Sequence, residues 1–223
     1  MNPILYFLRD IRKTGAVAPS SKYLASDMVR FLSEKADATG KPLRILELGP
    51  GTGTLSKAII NVMRPQDKID MVEINPHFCR MLRRKLSHPG MNVHYADLLE
   101  FKPEEAYDYI FSSIPYESIP ENITRLMWDK KLELCKPDGL ISYYKYVNFN
   151  YFRCKYEKDL VKKYCVDKTL VFRNLPPAQL FTLRVSKPES TCKHIHLPTL
   201  KKHAAPVRVN RNKAGKIVAS ATA

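Results

Sequence analysis

The chain has 223 residues, of which 44% are hydrophobic, and this suffices for one domain with a buried core. Its five cysteines are odd in number and contain no C-x-x-C pair, which argues for free thiols in a reducing compartment. No segment approaches the roughly 20 apolar residues of a membrane span. The net charge of +15 predicts a phosphate-rich partner, which is either nucleic acid or an anionic membrane surface.

The N-terminal region, residues 1–42, predicts two helices that precede the main domain. Residues 3–14 are predicted to form one helix with an apolar face and a basic border (Ile4, Leu5, Leu8 and Ile11; Arg9, Arg12 and Lys13). Such an amphipathic helix suits the headgroup boundary of a membrane as an anchor, and it also suits packing on the sheet as a lid. A second helix is predicted from about Lys22 to the stop signal at 39–42. The first apolar run ends at Arg9 and is too short for a signal peptide.

Residues 43–186 alternate between strand and helix signals. Strands are predicted at 43–48, 68–74, 91–95, 107–112, 140–147, 166–172 and 180–185, and helices at 54–63, 76–86, 122–135 and 149–164. Alternation at this spacing predicts an α/β fold with a mostly parallel sheet, and the last two strands, with no helix between them, form an antiparallel pair at one edge. Residues 187–223 hold eight Lys and Arg residues against one acid and are expected to be a disordered basic tail.

A glycine-rich loop follows the first predicted strand. It has the spacing E-x-G-x-G-x-G, at Glu47, Gly49, Gly51 and Gly53. The dinucleotide fingerprint G-x-G-x-x-G fails here, since Thr54 or Ser56 stands where its third glycine is needed. The glycines let the backbone approach a ligand closely, and an acid at the strand end suits a cationic or hydroxyl-bearing ligand better than a pyrophosphate.

This loop resembles motif I of the class I S-adenosylmethionine-dependent methyltransferases. The resemblance implies a Rossmann-like fold with seven strands and S-adenosylmethionine as the cofactor. It also implies cofactor contacts from residues at successive strand ends. There one carboxylate accepts hydrogen bonds from the ribose hydroxyls, and another accepts one from the adenine amino group. Besides the loop residues, these are Glu73, Ile74, Asp97, Leu98 and Ser112.

Residues 112–116 read SSIPY and follow the fourth predicted strand. They resemble the [N/D/S]-x-P-[Y/F/W] segment of methyltransferases that act on exocyclic amino groups. The resemblance makes Tyr116 and Ser113 the catalytic candidates, because an aromatic face favours the cation that develops at nitrogen. The RNA adenine dimethyltransferases usually carry Asn where this chain has Ser113. Tyr116, the Ser113 region and a bound water all stay open as the group that takes the proton of an ammonium acceptor.

Two further stretches resemble bacterial phospholipid N-methyltransferases. They are RNLPPA at 173–178 and GAVAPSS at 15–21. The resemblance implies N-methylation of phosphatidylethanolamine towards phosphatidylcholine, or of another aminolipid such as an ornithine lipid. It places Tyr23 at the border of the cofactor and the acceptor, and it makes Arg173 either a contact of the lipid phosphate or a brace of its loop. Among the tyrosines of the fifth predicted strand, Tyr144 and Tyr146 share one face, and Tyr146 is our candidate for a headgroup cage.

The expected partners follow from these resemblances and from the charge. We expect a phospholipid substrate and an anionic membrane surface, contacted through the N-terminal helix and the basic tail at the cytoplasmic face of the membrane. We expect no nucleic acid as a partner. We also expect no metal, because the spacing of Cys192, His194 and His196 suits a tetrahedral ion poorly. The alternatives are N6-adenine methylation of ribosomal RNA and a basic binding module on a vestigial methyltransferase fold.

Overall fold

The structure, a computed structural model, describes residues 21–116, 119–147 and 154–185. Seven strands form one sheet in the order β3-β2-β1-β4-β5-β7-β6. The strands are β1 (Arg44–Leu48), β2 (Lys68–Glu73), β3 (Met91–Tyr95), β4 (Tyr107–Ser112), β5 (Cys135–Tyr146), β6 (Cys165–Val171) and β7 (Ala178–Arg184). The described helices are α1 (Lys22–Met28), α2 (Arg30–Thr39), α3 (Thr54–Val62), α4 (Pro76–Lys85), α5 (Glu121–Leu134) and α6 (Lys155–Tyr164).

Strand direction decides where a site can form. Strands β1 to β5 pair in parallel, whereas β7 runs antiparallel to both β5 and β6. This confirms the predicted Rossmann-like sheet with its antiparallel pair at one edge. It also means that β6 runs in the same direction as β5, so the turn between β6 and β7 lies at the edge where the parallel strands end. Ligands bind beyond the carboxyl ends of strands in such sheets.

Local signals explain where two of the helices begin. The Ser21 hydroxyl caps α1 by accepting from the Leu24 N–H at 3.2 Å. Asn75 caps α4, with Pro76 at its first position. The single helix predicted from Lys22 is in fact two helices separated at Val29. Helix α1 packs on α3, β6 and β7, whereas α2 packs on α3.

Strand β5 differs most from its prediction. It begins at Cys135, where α5 ends, rather than at Leu140, and its pairing with β4 is irregular opposite residues 107–109. Strands usually contain few Pro and Gly residues such as Pro137 and Gly139. Here the N–H of Asp138 bonds to the carbonyl of Val185 beyond β7 and keeps this stretch in the sheet. The helix predicted at 149–164 begins at Lys155 in the described part of the chain. The predicted first helix, residues 148–153 and the tail lie outside the described residues.

The core has one cluster on each face of the sheet. On one face, α1, α2 and α3 cover Ile45, Met71 and Tyr144. On the other face, α5 and α6 cover Ile110, Tyr143 and a fully buried Trp128. Neighbouring residues of a strand point to opposite faces, which explains why Tyr143 and Tyr144 belong to different clusters.

Candidate active site at the carboxyl ends of the strands

The glycine loop after β1 makes a sharp bend. Gly49, Gly51 and Gly53 all have positive φ, at 69°, 55° and 87°, a region that other residues enter only at a cost. A Cβ on Gly49 would lie 3.3 Å from Ile114 Cγ1, whereas a Cβ on Gly51 would meet nothing within 4 Å. The loop therefore packs closely on the segment after β4 and leaves open space above Gly51.

Glu47 carries a fully buried carboxyl group near the end of β1. Its exposed fraction is 0%, and neither of its oxygens has a hydrogen-bond partner among the described residues. Burial raises the pKa of Glu47 to about 8. The nearby Ser56 hydroxyl opposes this rise, although its geometry falls short of a hydrogen bond, and the Glu73 carboxylate adds to the rise. A buried polar group without a partner costs free energy, and a cationic ligand at this position would remove that cost.

The acids after β2 and β3 shape the backbone around the loop. Glu73 accepts from the N–H of Gly51 at 3.0 Å and from the N–H of Asn75 at 2.8 Å. Asp97 accepts from the N–H of Leu99 at 2.8 Å. Leu98 is buried, and Ile74 packs against the same apolar cluster. Because β2 and β3 pair in parallel, both acids lie at the edge of the sheet that holds the glycine loop.

These residues fit the cofactor that motif I implies. The carboxyl of Glu47, which has no hydrogen-bond partner in the described part of the chain, suits the positively charged part of S-adenosylmethionine. The space above Gly51 suits a ligand that approaches the backbone. Carboxylates at two further strand ends supply acceptors for hydroxyl and amino groups. Among the described residues, no group of three or more His, Cys, Asp or Glu side chains is arranged to hold a metal ion.

The SSIPY segment places its polar side chains at the end of β4. The Ser112 Oγ lies 2.6 Å from the Tyr116 Oη, and Tyr116 is only 4% exposed. The Ser113 Oγ is buried and has no hydrogen-bond partner in the part of the chain that the structure describes. The structure thus joins Tyr116 to Ser112, a predicted cofactor residue, and leaves the Ser113 hydroxyl available to a ligand among the described residues.

Sequence analysis missed a buried lysine beside this motif. Lys131 of α5 is 0% exposed, and its Nζ lies 2.8 Å from the Tyr116 Oη. The same amine lies 2.9 Å from the ring centroid of Trp128. A usable signal was present, since the helical period places Lys131 on the buried face of α5 with Ile123, Met127, Trp128 and Leu134.

The predicted substrate residues fall into two places. Arg173 and Tyr23 meet, with the guanidinium carbon 5.3 Å from the tyrosine ring centroid. Next to them, the Ser21 N–H donates to Asn174 Oδ1 at 2.9 Å. Tyr146 instead packs edge-on against Tyr144, with ring centroids 5.5 Å apart, on the face covered by α1 to α3. Tyr146 is therefore on the other face of the sheet from Tyr116, and its headgroup role stays a prediction.

Comparison with known proteins gives a family and several relatives. The model of the ribosomal RNA adenine dimethylase family matches residues 21–138. An ornithine lipid N-methyltransferase of Singulisphaera acidiphila is 27% identical over 198 residues, which cover 82% of this chain and 97% of that protein. Malonyl-(acyl-carrier protein) O-methyltransferase 1 of Ilyobacter polytropus is 27% identical over 150 residues, which cover 67% of this chain and 53% of that protein.

Solved structures share the fold. The N-methyltransferase NodS from Bradyrhizobium japonicum WM9, in complex with S-adenosyl-L-homocysteine, is similar with a TM-score of 0.56 over 74% of this chain and 88% of that chain. The two sequences are 14% identical, so this likeness concerns the fold alone. It confirms the Rossmann-like methyltransferase fold that motif I implied.

Proposed function

The chain belongs to the ribosomal RNA adenine dimethylase family of S-adenosylmethionine-dependent methyltransferases, and we propose that it methylates the amine of a membrane aminolipid. Phosphatidylethanolamine is the proposed acceptor, on the way to phosphatidylcholine, and an ornithine lipid is the related candidate. Glu47, the glycine loop, Glu73 and Asp97 would hold the cofactor. When bound, S-adenosylmethionine supplies an activated methyl group on a positively charged sulfur.

One observation carries the choice of a lipid. Ser21, the last residue of the GAVAPSS stretch, is joined to the turn between β6 and β7, which holds the RNLPPA stretch, at the edge of the sheet where the parallel strands end. Asn174 fixes this junction, because it is buried, accepts from the Ser21 N–H and donates to the Pro176 carbonyl at 2.7 Å. The relative from Singulisphaera, whose name states a lipid substrate, supports the same choice across nearly its whole length.

The surface of this junction suits a lipid bilayer. Leu175 is 88% exposed and Phe172 is 61% exposed, and the exposed rings and chains of Tyr23 and Val147 lie nearby. Arg173 contributes a positive charge to the same turn. Apolar side chains that enter the headgroup boundary and cations that meet lipid phosphates both favour binding to an anionic membrane.

A basic cleft continues from this corner along the outside of the glycine loop. It has a volume of about 920 Å³ and is lined in part by Lys22, Lys57 and Lys85. We propose that this side of the molecule faces the cytoplasmic leaflet, and that the helix predicted at 3–14 and the basic residues 187–223 add to the contact. No helix among the described residues is long and apolar enough to cross a bilayer.

The acceptor amine would lie at the SSIPY segment. The buried Ser113 hydroxyl, which has no partner among the described residues, would accept a hydrogen bond from it, and Tyr116 would shape its site. Methyl transfer to an amine requires that the nitrogen, the methyl group and the sulfur lie in line, so positioning is the main contribution of the protein.

The test supplies radiolabelled S-adenosylmethionine to the purified chain with vesicles of phosphatidylethanolamine and phosphatidylglycerol, with vesicles of ornithine lipid, or with ribosomal RNA. Label in chloroform-soluble lipid is the expected result. The Phe172→Ser/Leu175→Ser variant should lose vesicle binding and labelling. The control is Leu126→Ser, which removes an equally apolar side chain that is 51% exposed on α5 and should leave both unchanged.

N6-adenine methylation of ribosomal RNA is the second candidate. The family match over residues 21–138 and the net charge of +15 favour it. Label that enters RNA and stays out of both vesicle types would replace the lipid proposal with this one.

A further inference from the structure

Lys131 has an unusual position for a lysine. Its amine is enclosed by aromatic rings, with the centroids of Trp128, Tyr116 and Tyr143 at 2.9, 4.4 and 5.5 Å. Lysine is almost never fully buried unless it is paired. Here the described hydrogen-bond partner of the amine is the Tyr116 Oη, at 2.8 Å, rather than a carboxylate.

A chain of polar atoms leads from this amine to Ser112 at the end of β4. The Tyr116 Oη lies between the Lys131 Nζ at 2.8 Å and the Ser112 Oγ at 2.6 Å. Ser112 ends β4 and directly precedes Ser113, whose hydroxyl is the proposed contact of the acceptor. Both distances are short enough for a hydroxyl to pass on a proton.

The surroundings of Lys131 favour its uncharged form. The charged groups that face it are Lys145 of β5 and Glu157 of α6, which form a buried ion pair of 2.9 Å. Burial lowers the pKa of Lys131 well below its ordinary value; Glu157 opposes this and Lys145 adds to it. Burial is the largest of these influences.

We propose that Lys131 receives the proton that the acceptor ammonium must lose before methyl transfer. An N–H bond of the ammonium breaks and its proton passes to the Ser112 Oγ. Ser112 gives its own proton to the Tyr116 Oη, and Tyr116 gives its proton to the lone pair of the Lys131 Nζ. The nitrogen of the acceptor keeps the electron pair and becomes a nucleophile. Lys131 becomes an ammonium, stabilised by the rings and by Glu157, and before the next turnover its proton returns through the Tyr116 and Ser112 hydroxyls to water in the emptied site.

This inference rests on the proposed function, because an alkyl amine is charged at neutral pH whereas the amino group of adenine is not. Lys131 does not touch the substrate in this scheme. It is a positioning residue that acts through Tyr116, and its role must appear in the dependence of turnover on pH.

A direct measurement of the charge on Lys131 needs no substrate. The full chain, labelled with ¹³C at the ε-carbon of lysine, is titrated by NMR, and the Lys131→Met variant assigns the resonance. We expect Lys131 to titrate well below the surface lysines. Titration together with the surface lysines would overturn the inference while leaving the proposed function intact.

The kinetic test compares Lys131→Met, Tyr116→Phe and the control Lys130→Met, which removes a neighbouring amine that pairs with Glu133 at 2.7 Å. At pH 7 the first two variants should lose about 100-fold in kcat on vesicle lipid, the lower range for a lost acid–base group. Their rates should recover about tenfold per pH unit towards the amine pKa of about 10. The control should behave like the wild type.

A second substrate separates proton transfer from structural support. An analogue of the lipid with an aminooxy headgroup is uncharged at neutral pH and need not lose a proton before methyl transfer. Lys131→Met should methylate this analogue at a rate close to that of the wild type. An equal loss on both lipids, or a pH profile parallel to that of the wild type, would refute the proton path. Absence of lipid labelling by the wild type would instead refute the proposed function.

Discussion

The pH dependence of cofactor binding tests whether Glu47 meets a positive charge. The carboxyl is buried and has a pKa raised to about 8, so at neutral pH most molecules carry it protonated. A cation binds the ionised form better and must displace that proton. The perturbation is the Glu47→Gln variant, which keeps the shape of the side chain but cannot ionise.

The magnitude follows from this pKa. If only the ionised form binds the cation, protonation raises the apparent Kd by a factor of about 100 at pH 6 and about 2 at pH 8. The affinity of the wild type should therefore rise about 50-fold between these values, which corresponds to about 2.3 kcal/mol. The Glu47→Gln variant should show no such rise and should approach the wild type only near pH 6.

Isothermal titration calorimetry with S-adenosylhomocysteine measures this directly. At pH 7, titrations in two buffers with different ionisation enthalpies should reveal the release of about 0.9 proton per molecule bound by the wild type. Repeating the titration with S-adenosylmethionine identifies the cation, because only that ligand carries the sulfonium. A wild-type affinity that is flat with pH, without proton release, would show that Glu47 is not the counterion.

The same residue makes an independent prediction for stability. Because the folded pKa lies above the unfolded value of 4.5, the stability that the protonated form contributes is fully present below pH 4.5. It is lost as the pH rises through about 8. Relative to the wild type, Glu47→Gln should gain about 3 kcal/mol in the free energy of unfolding between pH 4 and pH 7. Urea unfolding at the two pH values checks this, and parallel curves would contradict it.

Three further predictions concern single residues. Gly49→Ala should lose about 1–2 kcal/mol of stability because of the positive φ at this position. It should also bind the cofactor less tightly, because the new Cβ would press on Ile114. Gly40→Ala, which shares the positive φ but has open space around it, should lose stability alone. Burial raises the pKa of Asp67, but its hydrogen bonds outweigh burial and lower the pKa overall. The wild type should therefore lose stability as the pH falls below 3.8. Asp67→Asn should remove that part of the loss in acid unfolding. Lys131→Met should have a higher free energy of unfolding than the wild type at pH 7, because the buried amine has a lowered pKa. The difference between the two proteins should shrink as the pH rises towards 10.5.

The sheet and the cofactor side of the site follow from short-range patterns in the sequence. Alternating strand and helix periods predict the order of the elements, and parallel pairing then brings Glu47, Glu73 and Asp97 to one edge whatever the packing details. The bend at the glycine loop is equally local. These features are therefore accessible to sequence analysis alone, and the family match and shared fold agree with them.

The acceptor side depends on packing between elements that are distant in sequence. Lys131 meets Tyr116 because α5 presents its buried face to the end of β4, and helical periodicity alone does not reveal which partner a buried lysine meets. The early start of β5 at Cys135 depends likewise on a hydrogen bond to Val185. The predicted cage residue Tyr146 was assigned from its nearness to the strand end, a criterion that does not distinguish the two faces of a sheet.

The two candidate acceptors differ by one proton, and this gives the buried lysine its significance. Adenine presents a neutral amino group, so its methylation needs no group of low pKa before the transfer step. An alkyl ammonium has no free electron pair until a base removes a proton. A buried amine of lowered pKa costs stability, and an apolar residue would fill the space between Trp128 and Tyr143 without that cost. A base connected to the SSIPY motif through Tyr116 is therefore more useful to an enzyme that acts on an aminolipid than to one that acts on adenine.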